Sequence, residues 1–446
     1  MVVYRCEWAW IDGEPQAGID ITVDDSGRIS SVDPTDRQSR PEATELPGLV
    51  LPGFANAHSH AFHRALRGRT HGDGGTFWTW RERMYEVATV LDPDIYYDLA
   101  RACYAEMALA GVTCVGEFHY VHHAPDGSPY DDPNAMGEAV RHAAHDAGIR
   151  LTLLDTCYLA GGIEQGVHVP LSPRQARFGD GDARGWARRL EGLHGDDATI
   201  IGGAIHSVRA VPRDQMPVIV SAMRGRPLHA HLSEQVAENA ACALAYGLTP
   251  AAVLAEAGAL GPMSTVVHAT HLSAADIGLL GATRTSSCFC PTTERDLADG
   301  IGPAMELAKA GSPICLGSDQ NAVIDLLEEA RGLEMHERLA HHERGRFAPA
   351  SLVDALTVHG HESLGWADAG RIAVGQRGDL VAIRTDTVRT AGVDPAQVVT
   401  SAFASDIDSV VVDGRLVVAG GRHASLDVAG ELQEVLARVW ARVREG

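Results

Sequence analysis

The feature that most restricts this chain is a rhythm rather than a single motif. Eight short apolar runs, at 50–54, 112–118, 151–157, 199–205, 227–231, 265–268, 285–289 and 313–316, alternate with alanine-rich helical stretches such as 97–110, 135–147 and 251–257. Strand-like runs separated by helical ones are the signature of repeated βα units. A count of eight predicts an α/β fold, a (β/α)8 TIM-like barrel whose catalytic side chains sit at the C-terminal ends of its strands. Several of the 22 histidines fall where those runs end.

Both ends of the chain read differently. Residues 1–48 form short strand-like segments at 2–10, 18–23 and 29–32, broken by DDSGR, and the same style resumes in AVGQRGDLVAIR and SVVVDGRLVVAGG. The Asp413-Gly414 pair between two apolar runs is a strong hairpin signal. The expected organisation is a catalytic barrel over 49–368 and a small β-rich domain assembled from 1–48 and 369–446. A terminal helix near 430–443 is expected to pack on the outside.

Composition narrows the function. A chain of 446 residues with 45% hydrophobic and 22% charged residues is an ordinary globular sequence with room for one barrel and an appendage. A formal net charge of -22 opposes binding to a phosphate backbone, so nucleic acid is not an expected partner. No apolar run approaches the ~18 residues of a membrane span, and the opening MVVYRCEWAWIDGEP lacks the basic and apolar regions of a signal peptide. A cytoplasmic location is expected. The 8 cysteines are scattered without CxxC pairs and read as reduced core thiols. Lys309 is the only lysine in the sequence.

Three strand ends carry groups suited to one metal ion. The first, VLPGFANAHSH, places His58 and His60 two residues apart on an extended segment, facing the same side. The fifth, LHAHLSEQ, ends on His231, and the eighth, PICLGSDQ, ends on Asp319. Three imidazoles and a carboxylate suit a borderline divalent ion, zinc first among them. Taken alone, His231 also reads as a hydrogen-bonded core histidine, and Asp319 reads first as a cap for a helix over 323–339; what favours a metal is that all four follow apolar runs in the alternation that brings them to one barrel mouth. A bridging carbamylated lysine for a second ion has no candidate in the fourth run, TIIGGAIHSVRAV, so a single metal is expected.

Around that set stand candidate proton carriers and substrate contacts. Glu234, three residues past His231, is placed for general acid-base work beside a water activated by the ion, or equally to cap the helix that follows. His268 ends VVHATH and suits orientation of the attacking water; His271, past the strand end, reads as structural. His206 ends the fourth run and Arg209 follows it by one turn, where a guanidinium fork grips a carboxylate. Phe77, Trp78 and Trp80 read as packing of a rim or lid.

In order, LPGFANAHSH, HAHLSEQ, VVHATH and GSDQ, with β-rich ends, resemble the amidohydrolase superfamily over nearly the whole chain. HSHAFHRALRG, TFWTWRERMY, GEFHYVHH, HSVRAV and CPTTERDLADGI are similar to its formimidoylglutamate deiminase branch. That resemblance implies hydrolysis of N-formimidoyl-L-glutamate to N-formyl-L-glutamate and ammonia at one zinc ion, and a homodimer. It implies Glu234, His268 and Asp319 as catalytic groups, with Arg81, Tyr120, His206 and Arg209 on the substrate and His63 nearby. His63 stands where the resemblance leads one to expect glutamine, and Gln320-Asn321 where it leads one to expect Ser-His. A dicarboxylate entering a protein this acidic needs local cations, for which Arg81, Arg83 and Arg209 are the candidates. The alternatives are a deaminase of a purine, pyrimidine or guanidine-like substrate and a non-catalytic metal-binding scaffold.

Overall fold

The computed structural model describes residues 1–38, 40–70 and 74–445. Its central sheet consists of β1 (Phe54–Ser59), β2 (Val112–His119), β3 (Arg150–Cys157), β4 (Thr199–Ile205), β5 (Leu228–Leu232), β6 (Ser264–His268), β7 (Ser286–Phe289) and β8 (Ile314–Leu316). Each strand pairs in parallel with the next, in sequence order. Every residue in them except Ile200 is buried, because helices cover the outer face while side chains fill the interior; that is why the runs of β2 to β8 read as largely apolar. Closure comes just past β8: the Asp319 amide donates to the His58 carbonyl, and the His60 amide to the Asp319 carbonyl, each at 3.0 Å. The stitch that shuts the barrel is therefore made by three of the candidate metal ligands.

The second sheet draws on both ends of the chain, in the order Arg422–His423, Arg415–Ala419, Ile407–Val412, Leu380–Ile383, Thr44–Pro52, Val2–Ile11, Glu14–Val23, Ile29–Pro34. It corrects the expected first barrel strand. Val50 and Leu51 pair with Ala382 and Val381 in this outer sheet, and the barrel begins only at Phe54. One apolar run thus serves two sheets, with Gly53 at the junction, and the strand Thr44–Pro52 runs straight across the 48/49 position. A side chain at Gly53 would lie 2.3 Å from Thr113 Oγ1 and 2.8 Å from Asp379 Cβ, so only glycine lets the chain pass there.

The terminal helix Val428–Glu445 packs against Pro93–Leu109, and Trp440 Nε1 donates to the Ala65 carbonyl at 3.0 Å. That bond supports the 3-10 turn Ala61–Leu66, which carries His63. All eight cysteines are buried and free. Among the described residues, no helix is long and apolar enough to cross a membrane.

Candidate active site

At the C-terminal end of the barrel the backbone leaves its comfortable regions. Ser233, His268, Ala269, Asp319 and Asn321 all have positive φ, between 43° and 70°. Non-glycine residues persist there at a cost of about 1–3 kcal/mol each, and such strain clusters where side chains must be aimed. The turn at Ser233 swings Glu234 over the mouth, and those at His268 and Asp319 point an imidazole and a carboxylate into it.

His58 Nε2 lies 3.3 Å from Asp319 Oδ1, His60 Nε2 lies 3.4 Å from the same oxygen, and His231 Nε2 is 3.1 Å from His58 Nε2. The Nδ1 atoms of His60 and His231 each sit 2.9 Å from a backbone carbonyl, of Phe118 and His206 respectively. A carbonyl only accepts, so each Nδ1 carries the proton and each Nε2 turns a bare lone pair inward. Burial pushes the pKa of His58, His60 and His231 down, which keeps them neutral. Burial alone would raise Asp319, but contact with His58 and the surrounding imidazoles holds it well below the usual carboxylate range. Lone pairs and a carboxylate converging on one point repel unless a cation lies between them. A tetrahedral ion with bonds of about 2.0–2.1 Å has edges of about 3.3 Å, and the three spacings above match that edge. The four residues fit a divalent metal.

Two other groups of potential ligands do not need one. Beside His119 and His122, the Asp155 carboxylate already accepts from Trp186 Nε1 and from both terminal nitrogens of Arg189, each at 2.8 Å. Glu306 and Glu337, near His341, are bridged by Arg346 at 2.9 and 2.6 Å.

Glu234 and Asp319 are not caps. The helix Val236–Tyr246 begins at Gln235 with no side-chain cap, and Leu326–His341 is capped by Asp325. Glu234 Oε1 lies 3.8 Å from His268 Nε2 and its Oε2 lies 3.6 Å from Arg209 Nη2. Burial raises its pKa. His268 Nε2 also faces Asp319 Oδ2 at 3.8 Å, while Nδ1 faces Glu294 Oε1 at 3.5 Å. Burial would lower its pKa, yet the carboxylates of Glu234, Glu294 and Asp319 lift it to about 10.

The remaining candidates line the same cavity: His63, Arg81, Tyr120, His206 and Arg209, joined by Phe77, Trp80, Met84 and Tyr158. His63 Nε2 meets the Tyr120 hydroxyl at 2.9 Å, and burial pushes its pKa to about 3. Arg81, on the helix Phe77–Val90, donates through Nη2 to the Tyr158 hydroxyl at 3.2 Å and the Gly161 carbonyl at 3.3 Å, and through Nε to Tyr85. None of those partners is a carboxylate. The His206 and Tyr158 rings lie 4.3 Å apart.

Some expectations shift. Arg83 is exposed on the far side of its helix and pairs with Glu86 at 3.0 Å, so it adds no charge to the cavity. Phe77 and Trp80 line the cavity and only Trp78 is outside it. His271 Nε2 lies 2.8 Å from the Asp299 carbonyl, a structural contact. Lys309 is exposed at the end of the helix Ala304–Ala310. Three residues went unread in the sequence: Tyr158, one position past β3 and readable from the strand-end rule; Glu294, inside CPTTER; and Glu238, one helical turn beyond Glu234.

A match to the amidohydrolase family extends over residues 49–417. The chain belongs to that family. It is 35% identical over 400 residues to formimidoylglutamate deiminase from Pseudomonas aeruginosa, covering 86% of this chain and 87% of that one. It is 28% identical to 8-oxoguanine deaminase from the same organism, over 92% of this chain and 91% of the relative. The crystal structure of an amidohydrolase from Brucella melitensis superposes with a TM-score of 0.91 at 30% identity, over 99% of this chain and 100% of that one. Hydrolytic deamination is the chemistry to which this amidohydrolase's kinship and its metal-binding cluster both belong.

Proposed function

We propose that this amidohydrolase hydrolyses N-formimidoyl-L-glutamate to N-formyl-L-glutamate and ammonia, with one zinc ion held by His58, His60, His231 and Asp319. The observation that carries this reading is Arg81, a cation facing the cavity whose three hydrogen-bond partners, Tyr85, Tyr158 and Gly161, bring no negative charge. A guanidinium left without a counter-charge is a site for a carboxylate from outside. With Arg209 at a second point of the wall, the cavity offers two cations to a dicarboxylate, and the similarity to the Pseudomonas deiminase supports the same choice.

The zinc ion, when bound, supplies Lewis acidity and makes water nucleophilic at neutral pH. Everything else falls to the chain. The reaction turns HN=CH–NH–R and water into O=CH–NH–R and ammonia, so both water protons end on the departing nitrogen. Glu234 carries both in turn: ionised, it takes a proton from the attacking water and delivers it to nitrogen, and it then takes the remaining O–H proton as the carbonyl forms and delivers that to the departing nitrogen, whose bond to carbon breaks. His268, between Glu234 and Asp319, orients the water and offsets the negative charge that develops on its oxygen. Arg81, Tyr120, His206 and Arg209 hold the substrate so that its reacting carbon stays over the cluster, an orientation worth several kcal/mol.

Aromatic lining by Phe77, Trp80, Tyr120 and Tyr158 favours the competing reading, deamination of a purine. Arg81 weighs against it, since a neutral ring leaves its charge unanswered. Ammonia release from N-formimidoyl-L-glutamate, 8-oxoguanine, guanine and cytosine, measured side by side on zinc-loaded enzyme, decides. The formimidoyl substrate should lead in kcat/KM by about a hundredfold or more, because buried polar groups reject a ligand that leaves them unpaired. A preference for any ring overturns the proposal.

A further inference from the structure

Glu238 is a buried carboxylate that the mechanism above does not use. It sits in the first turn of the helix Val236–Tyr246, is 1% exposed, and neither of its side-chain oxygens has a side-chain hydrogen-bond partner; the backbone at Ser233 is the one donor that steadies its charge. The nearest cation is Arg209, whose Nε lies 3.5 Å from Glu238 Oε2 and is itself unpartnered. The same guanidinium presents Nη2 to Glu234 at 3.6 Å. One edge of the guanidinium therefore faces two different buried carboxylates and closes a tight hydrogen bond with neither. Burying a carboxylate with so little hydrogen bonding costs far more than burying a neutral group would, so its place needs a reason.

We infer that Glu238 is a positioning residue that holds Arg209 back from Glu234. Its charge pulls on Nε, which shares one edge of the guanidinium with the Nη2 that faces Glu234, so that this edge does not fork onto Glu234. Arg209 then keeps its Nη edge free for a substrate carboxylate, and Glu234 stays free to pick up and release a proton. Without the counter-pull, Arg209 and Glu234 would collapse into a buried salt bridge, and a carboxylate locked to arginine is a poor proton carrier. His268, Asp319 and Glu294 also face Glu234, from the ends of β6 and β8 and from the helix after β7. None of them contacts Arg209, so they cannot replace Glu238 in this role. The inference rests on the placing of Glu234 and Arg209 in the proposed mechanism.

The decisive test is a suppressor experiment on the full-length, zinc-loaded enzyme, using whichever substrate of the panel releases ammonia fastest. Glu238→Gln should lower kcat at least tenfold while metal content and melting temperature stay at wild-type values. Removing Arg209 as well should undo that loss: at saturating substrate, the double variant Glu238→Gln/Arg209→Met should recover kcat at least fivefold over Glu238→Gln alone, with KM raised as in Arg209→Met. Glu238→Asp, which keeps the charge, should retain kcat within threefold, and it carries the test against Glu238→Asn should the glutamine variant fail to accumulate folded. A Glu238→Gln enzyme within twofold of wild type, a double variant no faster than the single one, or an Asp variant as slow as Asn each overturns the inference. Calorimetric titration with glutarate separates the two readings. If wild type ignores glutarate, the dicarboxylate assignment fails, whereas the suppressor result still judges Glu238.

Discussion

The two ends of the barrel handle buried charge in opposite ways. At the N-terminal end, Arg150 at the start of β3 is fully enclosed and forked onto Asp379, the residue just before the outer-sheet strand Leu380–Ile383, with Asp413 at 3.2 Å and the face of Trp366 beneath it. Both terminal nitrogens of Arg150 are answered by Asp379, with only Nε left unpartnered, and the contact ties the barrel to the second sheet. At the C-terminal end the balance is left open. His60 and His231 turn bare nitrogens inward beside His58 and Asp319, Glu234 is raised by burial, Arg81 has no carboxylate, and Glu238 has no side-chain hydrogen bond. The backbone follows the same division, since Ser233, His268, Ala269 and Asp319 all take left-handed conformations at this end. A closed network holds the fold; an open one is waiting for a metal and a substrate.

Three substitutions break or sharpen that contrast. The largest effect belongs to Glu234→Gln, which should lower turnover by about 10²–10⁴ with bound zinc unchanged by elemental analysis; turnover near wild type would remove Glu234 from the chemistry. Next comes Arg150→Met at the closed end. Orphaning Asp379 should cost about 3–5 kcal/mol of stability, read by urea unfolding, while kcat of the folded fraction is unaffected; a kcat that falls with stability would erase the distinction between the ends.

This pair also has a signature in pH. Burial opposes ionisation of Asp379, but Arg150 outweighs it and depresses the folded-state pKa. Such a carboxylate stabilises the fold above its unfolded pKa of about 4, and that stability is lost as pH falls through the folded value. Wild type should therefore weaken on acidification through this range, and Arg150→Met should show a shallower dependence. The smallest effect is that of Arg81→Met: KM for the formimidoyl substrate rises about 10- to 100-fold with kcat changed far less, the mark of lost binding shared by ground and transition states. An unchanged KM would show that this arginine does not meet the substrate.

Much of this was readable in the linear chain because parallel strands buried on both faces have to be apolar, and barrel strands have to end where the chemistry is. Those two constraints placed β2 to β8 within a few residues and brought His58, His60, His231, Asp319, Glu234 and His268 forward as one group. The first strand escaped because 50–54 is apolar for the sake of the outer sheet, whereas FANAHS, which does enter the barrel, is small and polar. Glu238 and Glu294 escaped because a glutamate on a helix next to other charges looks like a solvated surface residue until burial is known. Arg83 was misjudged for the same reason in reverse.

The order of residue types along the chain determined the fold, the end of the barrel that bears the site, and the kinds of atom gathered there. That much follows from periodicity and from what each side chain can donate or accept, both of which are local. Tertiary structure alone decided which charges are answered and which are not: Arg150 by Asp379, Asp155 by Arg189, Arg81 by no carboxylate, Arg209 by two carboxylates at once. Charge balance in a buried site depends on distances between residues far apart in sequence, and those distances exist only once the barrel has closed.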